Sequence, residues 1–324
     1  MKRREFITLV GGATVAWPLA ARAQEPGRIY RLGTLQLSPR SAPNHVAFYA
    51  ELQRLGFIEG QNLVVDERGY GLHLEQLAYH AAEIVKAQVD VILATGDSAI
   101  RAAQRATTTI PILAFTDDML GSKFVTSLAK PGGNTTGVSV LATELDSKRQ
   151  DILIEAVPGL RHIAAVADSN TTAPRQLQAL QDAARARGVE LSIYGVAKPN
   201  EIAAAIDAAK KADAAALNVL ASPLLFADRQ VIMERATALH LPAMYQWPEV
   251  AEQGGLLGYG PRLVLIYREI LARQMVALLR GTKPGDIPVE QPTKFELVIN
   301  LKTAKALGIT IPGTMLARAD EVIE

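Results

Sequence analysis

Asp117 and Asp118 stand side by side after an apolar run at residues 112–115. Adjacent carboxylates at a strand end can receive an ammonium group, act as an acid–base pair, or cap a following helix. No nucleophile or paired base accompanies them in the sequence, so cation recognition by at least one of the two is the favoured chemistry. A second cluster, Thr95-Gly96-Asp97-Ser98, lies between another apolar run and a helical stretch. Its hydroxyls and backbone N–H groups can hold a carboxylate at a helix N-terminus, or Asp97 and Ser98 can be plain caps. Tyr245 and Tyr259 each end a candidate strand, where ring and hydroxyl together suit recognition of a solute, with core packing as the alternative. Gln36 and Ser38 follow the first candidate strand, and Asn170 and Asn218 end or follow two later ones; asparagine is also a routine turn residue.

Other chemistries find no support. The five histidines, His45, His73, His80, His162 and His240, lack paired metal-ligand spacing, so no metal is expected. There is no Gly-x-x-x-x-Gly-Lys-Ser/Thr loop for ATP and no Gly-x-Ser-x-Gly elbow. Gly132-Gly133 reads as a chain turn rather than a phosphate loop. Neither a cofactor nor a catalytic residue is expected.

These residues have to be positioned by an α/β scaffold. Apolar runs rich in Val, Ile, Leu and Ala mark strands at 30–35, 63–68, 91–94, 112–115, 162–167, 191–195, 214–219, 243–246 and 256–259. Helical periodicity marks 44–55, 74–86, 98–106, 122–130, 144–156, 174–187, 200–211, 228–239 and 262–280. Near-continuous apolar strands alternating with helices predict parallel sheets covered on both faces. The spacing favours two doubly wound lobes over one large sheet. The turn-rich segment 130–137 carries the chain out of the first lobe, and a second crossing is expected between residues 246 and 255. The tail adds a strand at 295–299 and a short helix. The expected division is residues 28–138 with about 255–285 in one lobe, and 139–254 with about 286–324 in the other. Three crossings then leave a cleft between the lobes, faced by strand C-terminal ends.

The N-terminus begins Lys2-Arg3-Arg4-Glu5-Phe6, runs apolar to Ala20 and reaches Ala21-Arg22-Ala23. This is the pattern of a cleaved signal peptide spanning 1–23, and Arg3-Arg4 resembles a twin-arginine export signal. Its apolar run, about 14 residues broken by Gly11, Gly12 and Pro18, is shorter than the ~20 a membrane span requires. Without it, 34 basic and 33 acidic residues become 30 and 32, a net of −2. No basic surplus points to nucleic acid. With no cysteine, stability rests on buried apolar area rather than disulfides.

Four segments carry a resemblance. They are Gly56-Phe57-Ile58-Glu59-Gly60-Gln61-Asn62, the stretch from Ser127 to Gly137, Gly254-Gly255-Leu256-Leu257-Gly258-Tyr259-Gly260, and the stretch from Ile287 to Asn300. In type and order the sequence is similar to exported substrate-binding components of ABC transporters, in the group with tryptophan- and tyrosine-binding members. The resemblance implies a periplasmic-binding-protein fold of type I, with three crossovers, and a periplasmic receptor that hands its ligand to an inner-membrane permease driven by a separate ATPase. Two loops depart from the pattern: Thr95-Gly96-Asp97-Ser98, where relatives carry small neutral residues, and Phe115-Thr116-Asp117-Asp118-Met119, in place of a Gly-Asp-Pro pattern. Both should face the cleft, so a relative's ligand does not transfer directly. The expectation is a monomeric exported receptor, not an enzyme, that closes on a small polar organic solute such as an amino acid. The competing readings are an exported α/β enzyme of hydrolase type and a ligand sensor that reports to a signalling partner.

Overall fold

A computed structural model describes residues 27–140 and 142–324; the leader expected at 1–23 lies outside the described residues. The first lobe is built from β1 (Tyr30–Leu35), α1 (Pro43–Arg54), β2 (Leu63–Val65), α2 (Leu77–Lys86), β3 (Val91–Thr95), α3 (Asp97–Ala106), β4 (Ile112–Thr116) and β5 (Thr135–Ser139). Its five strands are parallel, in the order β2-β1-β3-β4-β5. The apolar runs of β3 and β4 are buried along nearly their whole length, as expected for a parallel sheet covered on both faces.

The second lobe takes α4 (Ala142–Ala156), β6 (His162–Asp168), α5 (Pro174–Ala186), β7 (Glu190–Val196), α6 (Pro199–Lys211), β8 (Ala216–Val219), α7 (Pro223–Ala227), α8 (Arg229–Ala238), β9 (Ala243–Tyr245), α9 (Pro248–Glu252) and β10 (Leu257–Gly260). The chain then returns to pack α10 (Leu263–Leu265), a π-helical segment Ile266–Leu271 and α11 (Ala272–Leu279) against α1. It ends in the second lobe with β11 (Glu296–Asn300), α12 (Leu301–Ala306), α13 (Gly313–Leu316) and β12 (Glu321–Ile323). The seven strands run β12-β11-β10-β9-β8-β6-β7, all parallel neighbours except β10 with β11. Pro43, Pro174, Pro199, Pro223 and Pro248 each open a helix, where the fixed φ suits the first turn and the missing N–H removes no intrahelical bond.

The expected two doubly wound lobes and three crossings are therefore present, and their details differ from the sequence reading. β10 pairs with β9 and β11, so it belongs to the second lobe, and the second crossing falls after Gly260 rather than between 246 and 255. Residues 122–130 form turns instead of a helix, because Ser122 and Phe124 bond back to Asp118 and Met119 and Lys123 takes a φ of 60°. β5 and β12, each short and without a long apolar run, escaped sequence reading. β2 stops at Val65 because Asp66 caps a 3-10 turn through the Arg68 N–H. Two of the crossings are laced together: Ser139 donates to the Glu290 carbonyl, and Glu290 to that of Gly137, each at 2.9 Å.

The lobes touch across the cleft. Gly96, with a φ of 84°, lies so close to Pro223 of the other lobe that a Cβ there would come within 2.5 Å of Pro223 Cγ. One apolar cluster runs continuously from Phe115 and Val138 of the first lobe to Leu224 and Trp247 of the second.

Candidate functional site

Between the lobes lies a cleft with a largely apolar lining and a few polar groups, the general make-up of a small-molecule site. Its walls come from loops at the C-terminal ends of five strands: Leu37 and Ser38 after β1, Thr95 and Gly96 at β3, Phe115 to Asp117 at β4, Ser222 and Pro223 after β8, and Gln246 and Trp247 after β9. Asn44 of α1, Phe226 of α7, Leu263 and Tyr267 complete it. A doubly wound sheet leaves its ligand crevice at such ends.

Rings form much of the lining. Phe115 and Trp247 meet across the lobes at 6.1 Å between centroids, Phe115 lies 5.6 Å from Tyr267, and Phe226 6.4 Å from Trp247. The Tyr267 hydroxyl is 2.9 Å from Thr95 Oγ1, which ties the π-helical segment to the end of β3. Asp117 is set deep in the cleft yet keeps part of its surface open. Gln246 of the opposite lobe donates to its Oδ1 at 3.3 Å. Burial first, and then the carboxylates of Asp146 and Asp97, push Asp117 up to about 7, with Arg149 and the Gln246 bond opposing.

Behind this wall a fully buried ion pair anchors the hinge. Arg149 Nη1 donates to Asp146 at 2.6 Å, its Nε to the Tyr259 carbonyl at 2.7 Å, and its Nη2 to the Gln246 carbonyl at 3.5 Å. Asp146 also accepts from Gln176. Burial pushes the Asp146 carboxyl up while Arg149 and Gln176 hold it back.

Of the residues singled out from the sequence, Ser38, Thr95, Gly96 and Asp117 line the cleft. Asp97 and Ser98 line a small space adjoining it, and the Asp97 carboxylate accepts from Thr116 and Ser122, which makes it a tie between β4 and the following turn. Asp118 is outside the cleft lining and pairs at 2.6 Å with Arg175 of α5 in the other lobe. The remaining five do not reach the cleft, and the sequence expectation is corrected for each. Gln36 is buried behind the wall, donating to the Leu93 carbonyl at 3.3 Å. Asn170 ties its own loop together through Asp168 and the Ala197 carbonyl. Asn218 lies within β8, fully buried. Tyr245 is buried beyond Trp247, lining a separate space. Tyr259 belongs to the second lobe, not the first. Strand alternation turns Gly258 toward Trp247 and Pro248 and sends Tyr259 to the other face, where its ring packs near Phe295.

Sequence reading missed Asn44, Ser222, Phe226, Gln246 and Tyr267. Tyr267 sits inside a long helical run and had no local mark, whereas the Ser222-Pro223 pair after an apolar strand was a helix-start signal at a strand end. Trp247, two residues after Tyr245, also forms cleft wall.

Residues 46–323 match the family model described as ABC transporter substrate binding protein. The chain belongs to that family. Its members bind substrates and are not enzymes. This substrate-binding chain is 26% identical over 268 residues, 81% of its length and 75% of the relative's, to the tyrosine-binding protein of Clostridioides difficile (strain R20291). Its fold matches a conserved domain protein of Vibrio cholerae, with a TM-score of 0.81, 24% identity, and coverage of 91% of this chain and 99% of that one. It also matches the ABC domain from Streptococcus pneumonia in complex with L-Trp, with a TM-score of 0.80, 24% identity, and coverage of 91% and 100%. The fold is that of type I periplasmic binding proteins. Among the described residues no helix is long and apolar enough to cross a membrane.

Proposed function

We propose that this chain is the exported receptor of an ABC importer and that it captures an amino acid with a large apolar or aromatic side chain between its lobes. The observation that carries this reading is the cleft itself, where a carboxylate with no ion-pair partner among the described residues shares one cavity with rings from both lobes. Asp117 receives the ammonium group. The Thr95 hydroxyl and the N–H groups opening α3 hold the carboxylate, since helix N-termini favour anions. Phe115, Trp247 and Phe226 enclose the side chain. The names of a tyrosine-binding relative and of an L-Trp complex support the same class of ligand. The receptor acts as a monomer and delivers its ligand to a permease in the inner membrane, after export to the periplasm through its Arg3-Arg4 leader.

A thermal-shift panel of the twenty amino acids tests the ligand class, because a molecule that binds only the folded state raises the melting temperature. Aromatic and large aliphatic amino acids should raise it, and a flat response across the panel would sink the assignment. Replacing Arg3 and Arg4 by lysine should hold the protein in the cytoplasm; unchanged fractionation would remove the twin-arginine route.

A further inference from the structure

The lobes meet, bare backbone against ring, where Gly96 between β3 and α3 faces Pro223 in the first turn of α7. A Cβ on residue 96 would lie 2.5 Å from Pro223 Cγ, far inside the ~3.5–4.0 Å of ordinary carbon contact. Neither side has room to yield. The Gly96 N–H donates to the Phe115 carbonyl at 2.8 Å, and its own carbonyl accepts from the Ile100 N–H at 3.0 Å. Pro223 is a rigid ring, and Ser222 before it is fixed by donating to the buried Asp168 carboxylate at 2.7 Å and accepting from the Leu225 N–H at 3.3 Å.

The contact is also part of the cleft. Thr95, Gly96 and Pro223 line both the cleft and the small space beside it, so the contact is the partition between the two. Other cross-lobe contacts depend on how near the lobes come there. Phe115 meets Trp247, which is 4% exposed, and Gln246 reaches Asp117 at 3.3 Å. That bond is already long, and N–H···O bonds weaken beyond ~3.2 Å, so moving the lobes apart by the depth of one methyl group would break it.

We propose that Gly96 and Pro223 form the stop of the clamp: the lobes close until the bare backbone at 96 meets the Pro223 ring, and the missing side chain at 96 sets how deeply the cleft closes. This rests on the amino-acid reading above and deepens it, naming the pair that positions the two walls. A side chain at 96 holds the walls apart, so the ligand contacts that need both lobes are lost together.

In the full chain with Trp17→Phe, Trp247 is the single tryptophan, so acrylamide quenching of its emission reads closure without a label. Gly96→Ala should raise quenching and weaken calorimetric affinity for L-phenylalanine and L-leucine by about tenfold or more. Adding Pro223→Ala removes Cγ and leaves Cβ as the facing atom at 3.3 Å. The double variant should therefore recover both readings, with affinity within about threefold of wild type. The melting temperature should fall alike in both variants, because the strain of alanine at a φ of 84° is common to them. Recovery in the double variant thus separates the clash from the strain. Should Gly96→Ala fail to fold, Pro223→Phe adds bulk from the facing side with the Gly96 backbone untouched and should raise quenching in the same way. Wild-type quenching in the variant that folds, or a loss that Pro223→Ala does not repair, would overturn the stop and leave the amino-acid reading intact. A wild-type chain that binds neither amino acid would overturn that reading instead, and quenching without ligand would still decide the stop.

Discussion

The first lobe brings Ser38, Thr95, Thr116 and Asp117 to the cleft together with Phe115 and Tyr267, while the second brings Pro223, Phe226 and Trp247 with Ser222 and Gln246. Among the described residues, the first lobe thus supplies the only charged side chain of the lining. The second keeps its charges behind the wall, where Asp146 is paired with Arg149. The two carboxylates are close enough for Asp146 to push Asp117 up, yet only one has a cation bonded to it. Charge that is neutralised where it stands serves the hinge, and charge left without an ion pair is available to a ligand.

The comparison breaks most visibly at the buried pair. Arg149→Met leaves the buried Asp146 without its cation, and should lower the unfolding free energy by about 3–5 kcal/mol in denaturant titrations. The double variant Asp146→Asn with Arg149→Met should recover most of that loss. If the single variant lost under about 1 kcal/mol, the pair would not be the anchor of the hinge.

Asp117 should show the opposite sign. Its folded pKa, about 7, lies above the unfolded value of 3.8, so the folded state holds a proton that the unfolded chain releases. Stability from this group is present below pH ~4 and is lost as pH rises toward 7. Asp117→Asn should therefore be more stable than wild type at pH 7, by about 2 kcal/mol after allowance for solvent access, and no more stable at pH 4. For an amino acid, wild-type affinity should increase from pH 6 to pH 8 as the carboxylate ionises, and the variant should bind about thirtyfold more weakly at pH 8. A pH-independent affinity in the wild type would take the ammonium away from Asp117.

The smallest effect belongs to the exposed pair that bridges the lobes. Asp118 and Arg175 are partly exposed, so Arg175→Ala should change unfolding by less than about 1 kcal/mol. It should instead favour the open form, seen as a larger radius of gyration in low-salt scattering. At ~1 M salt the two proteins should converge, because exposed pairs are screened. Identical curves at low salt would show that the pair does not hold the lobes together.

The contrast between the lobes also marks how far sequence reading reaches. The loops Thr95-Gly96 and Phe115-Thr116-Asp117 follow long apolar strands, and a strand C-terminal end in a doubly wound sheet is a cleft position whatever its residues. Alternation of apolar runs with helical stretches determined the two lobes and their largely parallel sheets, because a strand buried on both faces has to be apolar throughout. Proline stands in the first turn of five helices, and helical periodicity marked three of them, α1, α5 and α6, but not α7 or α9.

Tyr259 and Tyr267 show what the chain alone left open. Both are tyrosines near the expected second crossing, and the choice between them depended on where the chain leaves the second sheet. That point is set by β10 pairing with β9 and β11, contacts whose partners lie up to 42 positions away in the sequence. The same pairing turned Tyr259 to the far face and allowed Tyr267 to reach Thr95, 172 positions away. Local pattern determined the elements, since periodicity and caps act within a few residues. Which side chains meet was decided by strand register and by closure of one lobe on the other, because a one-residue change in register reverses the face of every side chain on the strand.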